Sequence, residues 1–214
     1  MFSISRWQQL GSLTANLHRN LDSIPVDKRR FHIDLKHLLD EPLQVISPFF
    51  EGRESELAYL AHIGTGLGQL IERRLPLTQP LYGCIHGDIT NVHSVRDGRM
   101  VLFDFDCYGY GWRAYELTVV LWLLEWTAYR QKLDPGRSRR RWQAYLKGYN
   151  SVRVISPDEQ NAITWFVPLR HIWVMALQAG TMGFRGRDSV DFDQGIAFIR
   201  RWIQRHRLRG LLRG

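Results

Sequence analysis

The sequence predicts a mainly α fold that carries one small β-hairpin, and three observations predict it. Apolar residues recur at helical spacing over most of the chain, as in Trp7, Leu10, Leu13 and Leu17, and again in Leu57, Leu60, Ile63, Leu67, Leu70 and Ile71. The pattern turns strand-like in one place. There Val92–Val95 and Met100–Phe105 flank Arg96-Asp97-Gly98-Arg99, and Asp-Gly suits a tight turn with positive φ. The apolar share is 44%, with eight Trp, eight Tyr and ten Phe in 214 residues, which is enough for one packed core and excludes a disordered chain.

The elements follow in order. Residues 5–20 form the first helix, with Gly11 tolerated inside it. Residues 21–34 are polar, contain Pro25 and read as a loop. A short helix covers Leu35–Leu39, and Ser47-Pro48 opens another. The helix over 54–74 contains Gly-Thr-Gly-Leu-Gly, Gly64–Gly68. A phosphate-cradling loop would follow a strand, and none precedes it, so these are read as helix-packing glycines. Beyond Pro76 and Pro80 come the apolar run Leu81–Ile85, the hairpin, and Tyr-Gly-Tyr-Gly-Trp (108–112), read as a loop. A long apolar helix covers 114–130, Asp134-Pro135-Gly136 breaks it, and a second covers 138–149. Ser156-Pro157-Asp158-Glu159 has the cap, proline and returning glutamate of a helix start, and that helix runs through Trp165 to Ala179. The last helix spans 191–206. Residues 1–214 read as a single domain with a flexible basic tail at 207–214.

The net charge is +8, from 29 Lys plus Arg against 21 Asp plus Glu. Arg137, Arg139, Arg140 and Arg141 cluster, as do Arg200, Arg201, Arg205, Arg207, Arg209 and Arg213. No aromatic-interleaved platform or DNA-reading motif accompanies them. They are therefore read as a solvated helix face and tail rather than a nucleic-acid patch. The longest apolar run, Leu117–Leu124, is too short to span a bilayer, and no signal peptide opens the chain. Two cysteines, Cys84 and Cys107, make no disulfide framework, and a cytoplasmic protein is expected.

The chemistry concentrates between Cys84 and Asp106: CIHGDITNVHSVRDGRMVLFDFD. A hairpin brings its two ends together, so Asp88 and Asn91 at its start can meet Asp104 and Asp106 at its exit. Residues two apart on a strand share a face, which places these last two carboxylates together. Oxygen ligands of this kind suit Mg²⁺, which takes one or two carboxylates plus phosphate oxygens. A carboxylate outside the metal shell can accept a proton from a hydroxyl.

His86-Gly87-Asp88, Asn91, the hairpin, Asp-Phe-Asp and the following Tyr-Gly-Trp-Arg-Ala-Tyr-Glu-Leu (residues 110–117), in this order, resemble the aminoglycoside phosphotransferase family, relatives of protein kinases and of choline and homoserine kinases. The tryptophan-rich helix and Arg170-His171-Ile172-Trp173 extend the likeness over nearly all of residues 5–206. The resemblance implies a kinase-like C-lobe and an ATP- and Mg²⁺-dependent transfer to a small-molecule hydroxyl. It makes Asp88 the catalytic base and Asn91 and Asp104 the metal and nucleotide-phosphate ligands, with His86 bracing the loop. Asp106, Arg170 and Trp173 become candidates for acceptor binding or support. Glu116 stands where the family has an Asp that holds the catalytic loop.

Two departures bear on activity. Only Ile89 and Thr90 separate Asp88 from Asn91, against the family's four residues, which removes up to roughly 7 Å of reach. His93 stands at the usual spacing, but imidazole suits Mg²⁺ less well than an amide oxygen. The residues before His86 also read as helices, with no strand-borne lysine to grip phosphates. The expectation is a C-lobe lacking its N-terminal β-lobe, weakly active or inactive alone, whose partner is a separate N-lobe or a second copy. The alternatives are a catalytically dead binding module of the same ancestry and a metal-dependent hydrolase built on His86, Asp88, His93 and Asp104.

Overall fold

The computed structural model describes residues 3–27, 29–90, 93–96, 99–182, 191–208 and 210. Two compact units divide the chain, one of Met1–Ile33 with Leu75–Ile163 and the other of Asp34–Arg74 with Thr164–Gly214.

The first unit opens with α1 (Ile4–Leu21), capped by the Ser3 hydroxyl accepting from Arg6 N. Its main partner is α5 (Pro135–Asn150). Both helices place a glycine at the crossing. A Cβ on Gly11 would collide with the Tyr145 carbonyl, and one on Gly148 with the Gln8 carbonyl. Ser12 Oγ donates to Gly148 O at 3.0 Å across the same contact. The intervening α4 (Arg113–Arg130) is buried from Arg113 to Trp122 without a break, as its unrelieved apolar run requires.

A three-stranded sheet, absent from the sequence reading, supports this unit. Its strands are β1 (His32–Ile33), β2 (Tyr82–Ile85) and β5 (Gly109–Trp112), in the order β1-β5-β2. β2 runs antiparallel to β5, with Cys84 opposite Tyr110, and β1 runs parallel to it. The run 108–112 therefore supplies a central strand, not a loop. Its glycines looked like turn residues. A Cβ on Gly111 would lie 2.5 Å from Ile85 Cδ1, so the glycines serve close packing while Tyr110 and Trp112 fill the core. The hairpin pairs β3 (His93–Arg96) with β4 (Arg99–Leu102), His93 opposite Leu102. Its Asp97-Gly98 turn lies outside the described residues. Cys84 is buried and Cys107 half-buried, and neither is in a disulfide.

The second unit contains a π-helical turn (Lys36–Asp40), α2 (Glu41–Ile46), a 3-10 turn (Ser47–Phe50), α3 (Glu54–Arg74) and α7 (Phe192–Arg205). Gly64 and Gly68 lie mid-helix in α3, close against Leu39 and Leu35, so they pack and do not cradle phosphate. On α7, Ile196, Ile199, Trp202 and Ile203 are buried while Arg200, Arg201 and Arg205 are exposed, a solvated basic face. Leu208 is buried, so the start of the tail packs. Residues 209 and 211–214 lie outside the described residues.

The unit boundary falls inside α6 (Pro157–Met182). This helix starts with a reciprocal cap. Ser156 N donates to Glu159 Oε2 at 3.0 Å and Glu159 N donates to Ser156 Oγ at 3.2 Å. No helix among the described residues is long and apolar enough to cross a membrane.

Candidate active site

β2 delivers His86-Gly87-Asp88 from the sheet. Gly87 has φ 83°, a left-handed conformation that costs a glycine nothing, and a Cβ there would strike the Cys107 carbonyl. Two ties then fix the loop. Its backbone is held from below by Glu116 of α4, whose Oε2 accepts from His86 N at 2.5 Å and Gly87 N at 3.3 Å. Its imidazole is held from the side, where Nε2 donates to the Phe103 carbonyl at 3.0 Å and the ring packs tilted against Phe105, centroids 4.4 Å apart. Phe103 immediately precedes Asp104, so His86 couples the Asp88 loop to the hairpin exit.

Asp88 is half-buried, and Thr90 Oγ1 donates to its Oδ1 at 3.2 Å. Asp104 and Asp106 carry exposed carboxylates. The expectation that they share a strand face fails, because β4 ends at Leu102 and Asp104 turns the chain with φ 61°. Aspartate tolerates this conformation better than most residues. Asp106 follows in a turn closed by Tyr108 N donating to Phe105 O at 3.0 Å. Asn91 lies outside the described residues, and with it the effect of the short Asp88–Asn91 spacing.

Arg170 and Trp173 belong to the other unit. The Arg170 guanidinium lies 4.5 Å over the Trp173 ring, and Trp173 Nε1 donates to His37 Nε2 at 2.9 Å. Burial pushes the His37 imidazole below its ordinary pKa, against the raising effect of Glu41.

Sequence reasoning missed the layer beneath the loop. Arg113, fully buried, donates to the Cys84 carbonyl and to Asp22 Oδ1, the latter at 2.6 Å, and so pins β2 to the end of α1. Gly83 leaves the room this guanidinium needs. His18, also fully buried, brings Nε2 to 3.8 Å from Glu116 Oε2. Burial holds its imidazole down at about 4, so at neutral pH it is uncharged and this contact is not an ion pair. Two charged residues, Arg113 and Glu116, inside the otherwise uncharged run Tyr110–Leu117 were the available signal.

Among the described residues no three His, Cys, Asp or Glu side chains cluster as a ready metal site. His86 is buried, with Nε2 donating to a carbonyl and Nδ1 without a hydrogen-bond partner. The exposed carboxylates of Asp104 and Asp106 do fit a hard cation that takes few protein ligands and completes its shell with phosphate.

The structure thus ties a loop bearing Asp88 to a hairpin exit that bears Asp104 and Asp106. Residues 5–155 match the family model of the phosphotransferase enzyme family, and the chain belongs to that family. An uncharacterized protein of Deinococcus radiodurans is 31% identical over 203 residues, covering 92% of this chain and 57% of that protein. Amicoumacin kinase of Bacillus subtilis is 29% identical over 107 residues, 49% of this chain and 32% of that protein. Among solved structures, a microcompartment-associated aminopropanol kinase superposes with TM-score 0.65 at 26% identity, covering 92% of this chain and 59% of that one. An amicoumacin kinase in complex with AMP-PNP, Ca²⁺ and Ami gives TM-score 0.67 at 19% identity over the same 92%, and 57% of its own chain. The chain thus spans little more than half the length of the Deinococcus protein and of these two kinase structures.

Proposed function

We propose that this chain carries the base and the metal ligands of an ATP-dependent phosphotransferase acting on a hydroxyl of a small molecule. The observation that carries the reading is the double tie on His86. Its backbone N–H on Glu116 and its ring on the Phe103 carbonyl hold the Asp88 loop and the Asp104 segment as one assembly. Asp88 orients the acceptor hydroxyl and takes its proton, with Thr90 fixing the rotation of its carboxylate. Asp104 holds the divalent cation, with Asp106 beside it in sequence, and Asn91 is its second proposed ligand. When bound, Mg²⁺ supplies charge neutralisation for the nucleotide phosphates. The AMP-PNP and Ca²⁺ bound by the amicoumacin kinase neighbour support a nucleotide and a divalent metal here.

Among the described residues before Tyr82 the only strand is the two-residue β1. We assign the grip on the phosphates from above to a lobe outside residues 1–214, in a separate chain or segment. A reducing, cytoplasmic setting is part of this reading, for a chain whose two cysteines make no disulfide framework.

The test is phosphoryl transfer from ATP with Mg²⁺, using aminopropanol and amicoumacin as first acceptors, with and without the N-terminal lobe of a relative. Transfer that appears with the added lobe and disappears in Asp88→Asn supports the reading. A binding module without catalysis would take up nucleotide and acceptor under both conditions and turn over neither. Transfer that persists in Asp88→Asn removes the base assignment.

A further inference from the structure

We propose that Arg153, acting through Tyr149, sets the position of the proton on His18 and so makes His18 a positioning residue for the loop that carries Asp88. A guanidinium only donates hydrogen bonds. Arg153 Nη1 lies 3.1 Å from Tyr149 Oη, so the phenol oxygen accepts there. The phenol's own hydrogen is then directed to His18 Nδ1, 2.8 Å away. Nδ1 therefore accepts, and the single proton of the neutral ring sits on Nε2. Nε2 is the atom that faces Glu116 Oε2 at 3.8 Å, and this same Oε2 holds the His86 and Gly87 amides.

The opposite tautomer is disfavoured at both ends of the ring. It would place two donors on the Tyr149 oxygen and turn a ring lone pair toward the Glu116 carboxyl group. At 3.8 Å the Nε2–H is beyond a normal hydrogen bond, but its dipole still acts on Glu116 where water is excluded. The side chains of His18 and Glu116 are 0% exposed, and Tyr149 is fully buried. Arg153 is fixed at the outer end by Glu159 Oε1 at 2.8 Å and the Pro80 carbonyl at 2.9 Å. Glu159 is also the reciprocal cap of α6, so the start of that helix anchors the relay.

The inference rests on the phosphotransferase reading only for its consequence in turnover, and its test needs no activity. The full chain is labelled with ¹⁵N-histidine and its two-bond ¹H–¹⁵N spectrum is recorded at pH 7, with His18 assigned by its loss in His18→Gln. The expected pattern is one neutral tautomer with the proton on Nε2. Tyr149→Phe removes the donor to Nδ1, and Arg153→Gln, at a partly exposed position, frees the phenol to turn away. In a folded variant of either kind the His18 signals should move toward a mixture of tautomers, and the backbone amides of His86 and Gly87 should move with them. A wild-type proton on Nδ1 would overturn the proposal. So would an unmoved His18 pattern in both variants, or a shifted pattern that leaves the His86 and Gly87 amides in place.

Discussion

Replacing Glu116 by glutamine changes one oxygen to an NH₂ group and tests whether the His86–Asp88 loop is held by this carboxyl group. Oε2 accepts two backbone N–H groups, and Oε1 is buried with no hydrogen-bond partner. With the amide oxygen toward the loop, the two hydrogen bonds survive without their charge assistance, which costs about 1 kcal/mol. The NH₂ then occupies the Oε1 position and buries donors without acceptors, at about 1–3 kcal/mol. With the amide reversed, NH₂ meets two N–H donors, which is worse. The expected loss is therefore about 2–4 kcal/mol, or a fall in Tm of roughly 5–15 °C for a domain of this size. Urea unfolding followed by tryptophan fluorescence measures the first quantity. Hydrogen exchange at the His86 and Gly87 amides, faster in the variant, localises it. A loss under about 0.5 kcal/mol with unchanged exchange at both amides would refute the brace, since a loss that small belongs to a surface substitution.

Three further outcomes are expected. Mn²⁺-detected relaxation with ATP should show a site lost in Asp104→Ala and retained in Asp106→Ala; the reverse would move the principal ligand to Asp106. Inserting two residues between Thr90 and Asn91 should tighten divalent-metal binding by restoring reach, and an unchanged Mn²⁺ affinity would remove Asn91 from the ligand set. Burial lowers His18 from 6.5 to about 4 and His171 from 6.5 to about 3. The unfolded chain therefore binds protons that the folded chain does not below about 6.5. This stabilisation is whole above that pH and is lost as the pH falls through about 4 and then 3. Urea midpoints should drop steadily from pH 7 to pH 4, less steeply in His18→Gln, and a flat or rising profile would contradict it.

The long helices were legible because each is amphipathic or apolar over enough residues for the period to declare itself, whereas the six-residue α2 (Glu41–Ile46) was not. The reciprocal cap at Ser156 and Glu159 formed as its spacing requires. The three-stranded sheet was not legible, and the reason is local. β1 has two residues, and β5 alternates glycine with aromatics. Glycine in a strand weakens the propensity signal while permitting the close packing that makes the strand possible. A one-dimensional pattern records the first effect and cannot record the second, which depends on Ile85 and Phe31 approaching from elsewhere in the chain.

The site divides along the same line. The approach of the His86 loop to the Phe103–Phe105 segment was legible because a hairpin brings its two ends together. What the hairpin does not determine is how the ends are held. Asp104 leaves strand geometry at φ 61°, and that turn sets the Phe103 carbonyl where His86 can reach it. The supporting groups come from distant sequence: Glu116 is 30 residues from His86, and Tyr149 is 131 from His18. None of these spacings has a period, because each is the product of a helix crossing and not of a single element. The α1–α5 contact, made possible by Gly11 and Gly148, is what brings His18 to Tyr149. A bulky residue at either glycine would separate the helices and with them the relay under the loop. Two helix glycines therefore govern the packing beneath the His86 loop, to which neither contributes a side chain.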